Sequence, residues 1–343
     1  MKEKSPQQDH FFRDPVVPFE VGTGHSTLTF LEKLVHTSFQ GRNLGQALAI
    51  WKQMVESQAT VLLGLAGAMV PAGMRGVMVY LLQKGLIHCL VSTGANLFHD
   101  CHESLGRKHF KGSPAADDVK LREQKIDRIY DTFASDLEFQ KTDRFISTFA
   151  ATLPMHKSYT TREFFQLLGR HLATEAHEEG ILTAAAKANV PIYCPAIGDS
   201  SIGIAVAVGN EKGRVPVQFD IIGDVEETAD LVANSACTGV VYVGGGTPKN
   251  FIQQTEVTAS LRGQNVSGHQ YAIQITADAP HWGGLSGCTF SEAQSWGKIA
   301  LAAKKVSVHC DATIALPLLV SALAEWLDGR SQSSDLPKPS EKS

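Results

Sequence analysis

From about residue 58 to residue 326, short apolar runs of strand length alternate with segments of helical period, which leaves few architectures open. TVLLGLAGAMV is followed by RGVMVYLLQKG and LIHCLVST, and VPIYCPA by the strand-like PVQFDII and the helix DVEETADLVANSA. GVVYV leads to a helix from Pro248, YAIQIT to SEAQSWGKIALAA, read as one helix, and VSVHC to ATIALPLLVSALAEW. Strands that are apolar throughout, not at every second residue, are covered on both faces, which means a parallel sheet with helices on either side. The fold class is therefore α/β, a doubly wound parallel sheet. Helices precede it over 26–56, where Leu28, Leu31 and Leu34, then Leu44, Leu48 and Trp51, recur at helical spacing. Ligands of such sheets sit outside the carboxyl ends of the strands.

The other segments set the boundaries. Residues 1–25 read as a polar, flexible arm, 26–326 as a single domain, and 327–343 as a Ser/Pro/Lys-rich disordered tail. Residues 106–160, which include DDVKLREQKIDRIYDTF, read as a charged helical insertion. A hydrophobic share of 43% with 19% charged residues excludes a disordered chain. The net charge of -4, with both signs interspersed, gives no reason to expect nucleic acid or a membrane surface as partner. The six cysteines are scattered, several inside apolar runs such as IHCLV, as in a reducing compartment. With no apolar signal core and no stretch of ~18 apolar residues, a cytoplasmic location is expected.

Two loops carry most of the chemistry. In GVVYVGGGTPKNF (239–251) a buried strand runs into Gly244, Gly245 and Gly246, with Thr247 as a helix cap and Pro248 at the first helical position. Three glycines exceed what a turn needs; they let backbone approach a ligand, and the helix start offers N–H groups to it. In ITADAPHWGGLSGCTFSEAQSWGKIA (275–300) a loop of small residues with Trp282 precedes a helix capped by Ser291, on which Glu292, Trp296 and Lys298 follow. A lysine held among aromatic and apolar groups has a costly charged form, so its amine can act as a nucleophile. An isolated lysine on an amphipathic helix is ordinarily just solvated. Asp100, Asp199 and Asp311 each follow a strand and converge on one sheet edge, although capping the next helix is the commoner role for any one of them. His88, His99, Cys101 and His102 match no closed zinc pattern, His177 in HEEG lacks the second histidine of a zincin, and GDSSIG is no nucleophile elbow. No metal is expected.

SWGK at 295–298 with Glu292 before it and CDATIALPLL after it resembles the active-site region of the deoxyhypusine synthase family; STGAN and GGGTPKN agree in kind and order. The resemblance covers roughly residues 58–325. It implies a Rossmann-like fold, bound NAD, a homotetramer with sites shared across a dimer interface, and transfer of an aminobutyl group from a polyamine such as spermidine through a lysine imine. The acceptor it implies is a lysine of a translation-factor precursor. Carried over by position, Lys298 is the nucleophile, with Glu292, Trp296 and Asn250 against the amine. Thr93, Asp199, Gly245, Gly246, Thr276, Ala277, Ser286, Asp311 and Ala312 match cofactor-contacting positions.

The chain also departs from that pattern. Asn250 stands where eukaryotic members have histidine, and Ile204 and Leu285 stand where they have acids. Gly67, Ala68 and Pro71 occupy a turn that is polar in the family. Two missing carboxylates remove up to two ammonium partners, each about 1.5–3 kcal/mol as charged hydrogen bonds. Two alternatives stay open: homospermidine synthase-type transfer to a small amine such as putrescine, and a non-catalytic nucleotide-binding relative.

Overall fold

The computed structural model describes residues 12–154, 156–209 and 217–332. The chain opens with α1 (Thr27–Leu34), capped by the Ser26 side chain, and α2 (Phe39–Glu56). Then come β1 (Thr60–Leu65), α3 (Arg75–Gln83), β2 (Cys89–Ser92) and α4 (Gly94–Ser104). Next are β3 (Phe110–Lys111), α5 (Asp118–Glu123), β4 (Ile126–Ile129), β5 (Thr132–Ser135) and α6 (Asp136–Thr152). After β6 (Ser158–Tyr159) the chain forms α7 (Thr161–Leu172), α8 (Ile181–Ala188), β7 (Ile192–Tyr193), α9 (Ser201–Val208), β8 (Gln218–Phe219) and α10 (Ile221–Ala233). It closes with β9 (Thr238–Val243), α11 (Gly246–Leu261), β10 (His269–Thr276), α12 (Phe290–Ser295), β11 (Ile299–His309) and α13 (Ala312–Gln332).

Six strands form one parallel sheet in the order β11-β10-β9-β1-β2-β7. The chain moves outward through β1, β2 and β7, returns, and moves the other way through β9, β10 and β11. The switch point therefore lies between β1 and β9. Side chains of β1 alternate between two cores. Val61, Leu63 and Leu65 pack with Val241, Ile273 and Leu319 on one face, and Leu62 with Val240, Tyr242 and Ile252 on the other. Double coverage explains why the central strands β1 and β9 are apolar at nearly every position, whereas the edge strand β11 carries Lys304 and Lys305.

Several expectations need correction. PVQFDII contributes β8, which pairs with β6 in a separate two-stranded sheet, outside the main one. The insertion is not purely helical: β3, β5 and β4 make an antiparallel sheet, with Arg128↔Phe133 in register. IALAA is strand, not helix, because it enters β11 and pairs with β10. The last helix continues to Gln332, past the expected boundary at 327, held by Leu327 against the core and by Arg330, which pairs with Glu56 and lies 4.8 Å from the Trp326 ring. By length and composition Ala312–Arg330 could cross a membrane, contrary to the expectation of no such stretch. Its face of Ala315, Leu316, Leu319, Val320, Ala322 and Leu323 is instead buried in the core, and Glu325 accepts the Thr27 and Leu28 N–H groups. Of the expected arm and tail, residues 1–11 and 333–343 lie outside the described residues.

Candidate functional site

The triple-glycine turn leaves β9 at the switch point. Gly244 turns the chain with φ 77°, Gly245 caps α11, and the helix starts at Gly246. Thr247 is thus inside the first turn and not the cap. Pro248 falls third, where a helical residue still has no acceptor for its N–H. A Cβ at Gly245 would stand 2.4 Å from Ser286 Cα, so the close approach of the two loops requires glycine. Gly246 N–H donates to Ser286 Oγ at 3.0 Å, and Gln274 Nε2 donates to both Gly244 O (2.9 Å) and Ser286 O (2.7 Å). The loop after β10 is fastened over the turn after β9.

The other strand ends carry the remaining cofactor candidates. Thr93, after β2, donates its hydroxyl to Gly67 O at 2.9 Å and accepts from Asn96 Nδ2 at 3.0 Å, while Asn96 Oδ1 accepts the Met69 N–H at 2.7 Å. Buried Asn96, the last residue of STGAN and given no role by that motif, thereby shapes the turn after β1. Asp199 is exposed, and Ser200 performs the capping, accepting from Gly203 N–H. Thr276 is buried at the end of β10 and Ala277 exposed beyond it. Asp311 caps α13 through Thr313 N–H (2.7 Å) and Thr313 Oγ1 (2.6 Å), bonds that hold its carboxyl below the usual range; Ala312 begins that helix. Asp100 is not part of this edge. It is buried within α4, accepts the Ile181 and Leu182 N–H groups at the start of α8, and pairs with Arg75.

Lys298 is presented by a helix end. Thr289, not Ser291, caps α12, accepting from Glu292 N–H at 3.1 Å. Trp296 ends the helix, Gly297 takes φ 70°, and Gly297 and Lys298 donate to Gln294 O and Ala293 O. This is the Schellman pattern, in which glycine tolerates the left-handed residue and the next residue leaves the helix. Lys298 therefore stands on a turn running into β11, not on a helix face. Its carbonyl accepts the His269 N–H at the start of β10, seven residues or roughly 23 Å before Thr276. The side chain is half-buried, with Nζ 5.4 Å from the Trp296 ring centroid. Trp296 is 66% exposed, Glu292 is exposed and Asn250 half-buried, so this chain alone does not enclose the amine.

One charged residue between these parts lies inside GGGTPKN, though the motif alone gives it no role. Lys249, in the first turn of α11, is fully buried, and Nζ donates to Gln274 Oε1 at 2.9 Å and Cys288 O at 2.6 Å. Burial pulls its pKa down to about 8, against an opposing pull from Cys288 and Glu292. Helical spacing held the signal: residues 249, 252, 253 and 256 share the buried face of α11.

A family model described as deoxyhypusine synthase matches residues 29–323. A protein of Methanosarcina mazei named "Probable deoxyhypusine synthase 2" is 53% identical over 321 residues, 93% of this chain and 92% of that one. A protein of the same name from Archaeoglobus fulgidus is 52% identical over 291 residues, 84% and 95% of the two chains. A solved structure from Entamoeba histolytica bearing the same family name has a TM-score of 0.60 at 18% identity, covers 90% of this chain and 96% of that one, and shares the fold.

Proposed function

The chain belongs to the deoxyhypusine synthase family and is an aminobutyl-transferring enzyme; from that premise we propose that it uses NAD and Lys298 to move the four-carbon amine fragment of a polyamine to a second amine. The observation that supports this reading most is the clasp between the glycine turn at the switch point and the Ser286 loop, continuous in sequence with the helix end that presents Lys298. The turn fits a dinucleotide. Gly244–Gly246 add no side chains of their own, with Ala66 and Ser286 as their neighbours, the first turn of α11 has N–H groups without helical acceptors, and across the switch point a Cβ on Gly67 would meet Met69 Cε alone, at 3.8 Å. Thr93, Asp199, Gly245, Gly246, Thr276, Ala277, Ser286, Asp311 and Ala312 would hold the cofactor.

NAD, when bound, would accept a hydride from the carbon beside the polyamine's secondary amine and return it at the end, so the net reaction is not a redox change. The Lys298 amine adds to the substrate imine and expels diaminopropane, leaving the aminobutyl group as an imine on Nζ. The acceptor amine then displaces Lys298. Glu292 offers a carboxylate to a substrate ammonium, Trp296 an indole face to a cation, and Asn250 a polar contact in the first turn of α11. Exposed Trp282, Trp296 and Leu285 around this region support a homotetramer in which a second copy completes the enclosure. A cytoplasmic location belongs to the same proposal, in keeping with six free cysteines.

To test it, the purified protein is incubated with NAD and, in separate samples, spermidine, homospermidine or putrescine, then reduced with borohydride. The expected result is a mass increment on Lys298 with at least one amine; no Lys298 adduct across the panel rejects the transferase reading. Ile204 (57% exposed) and Leu285 (40% exposed) stand where the family places acids, which favours a changed amine partner. Running the turnover with putrescine against a protein lysine acceptor distinguishes transfer to a small amine from protein modification.

A further inference from the structure

We propose that Lys249 is a positioning residue for the transfer reaction, its buried ammonium locking the Ser286–Cys288 loop onto the glycine turn and so fixing the shape of the cofactor pocket. The inference rests on the reading that this turn holds NAD. Among the described residues, two cations are buried, Arg75 and Lys249. Arg75 faces the carboxylate of Asp100 at 3.0 Å, whereas the acceptors of Lys249 are neutral: one amide oxygen and one backbone carbonyl. Carrying an ammonium into such a place costs desolvation energy that neutral acceptors only partly return. A methionine would fill the same volume without that cost, so packing does not account for a charged group here.

Donor and acceptor arithmetic gives the ammonium its role. Lysine only donates, so Gln274 must turn Oε1 toward Lys249, and its Nε2 is then directed at Gly244 O and Ser286 O. Lys249 itself takes Cys288 O. One cation and one amide thus hold three backbone carbonyls, from the glycine turn and from both ends of the 286–288 segment. Without the cation, Gln274 Oε1 and Cys288 O lose their shared donor, and the amide that spans the two loops is held on its Nε2 side alone. The Phe290 ring, 6.0 Å from Nζ, covers the amine from the α12 side. The unit lies between the turn that would hold the cofactor and the helix end that carries Lys298.

The test uses the full chain with Lys249→Met, Gln274→Leu and the double variant. In protein free of cofactor, hydrogen exchange at 244–246 and 278–289 is expected to speed up in each variant, while β1 and β2 keep their protection. The NAD dissociation constant, from calorimetric titration, is expected to rise roughly tenfold, equivalent to about 1.4 kcal/mol, and the double variant to be no worse than the more affected single variant, because the two side chains act as one unit. Unchanged exchange in those segments with Lys249→Met overturns the proposal. So does faster exchange spread evenly over the sheet, which marks a general packing role, or costs that simply add in the double variant. If the wild-type protein binds no NAD, the cofactor reading fails by itself, and the exchange data on the three variants still decide whether the clasp exists.

Discussion

Lys249 shows how burial, not sequence motif, determines what a charged residue costs. Below about pH 8 its ammonium is charged in both folded and unfolded protein, and the folded state bears the whole desolvation penalty. Between about 8 and the ordinary lysine value of 10.5, the folded protein has released a proton that the unfolded chain still holds, so this group's contribution to stability rises with pH. Other groups titrate in the same range, so the measurement is a difference. From pH 8 to pH 10, urea denaturation of wild type and Lys249→Met should show wild type gaining about 2 kcal/mol on the variant. A gap that does not change with pH means that the amine is not desolvated. The sequence did carry a sign of this position, since Lys249 shares a helix face with Ile252, Gln253 and Glu256, but beside a glycine turn a lysine reads as solvated. Asn96 lies in STGAN, but the motif does not disclose its role, which depends on two turns meeting at the sheet edge.

At the level of elements, the three strand-end acids divide. Asp311 caps the helix that comes after it and Asp199 leaves that task to Ser200, whereas Asp100 caps a helix some eighty residues further on and neutralises Arg75. Asp100→Ala removes the buried carboxylate of Arg75, which keeps Glu178 at 3.2 Å and Glu103 at 3.8 Å, and leaves two helix N–H groups without acceptors. We expect a loss of about 3–5 kcal/mol in chemical denaturation; a loss near zero means the latch contributes nothing. The parallel strands and their order of chemistry were legible because double burial removes polar alternation, and that signal is strong in β1, β9 and β10. The helical pattern over SEAQSWGKIALAA misleads in its second half. Its alanines favour helix locally, but Gly297 ends α12 and pairing with β10 claims the residues from Ile299 onward, an override of propensity by tertiary contact. PVQFDII misleads in the opposite way, being strand-like yet short of the main sheet.

For the molecule as a whole, the parts of the proposed site lie apart in one chain. The Lys298 backbone lies by the start of β10 and the cofactor candidates by the strand ends, with Trp282 78% and Trp296 66% exposed around them. Light scattering after size exclusion should give four times the 37.0 kDa chain mass, and dilution below the assembly constant should redden tryptophan emission as activity falls. Full activity in a monomer contradicts a shared site. The placement of Ser286 has a further effect. Its hydroxyl already accepts the leading N–H of α11, so an incoming phosphate competes with the protein's own oxygen there, and a departing one is replaced by it. In the reading proposed here, capture and escape of the NAD phosphate at that helix start would both be coupled to the motion of one loop, which would suit a carrier that keeps a borrowed hydride until a second amine arrives to claim it.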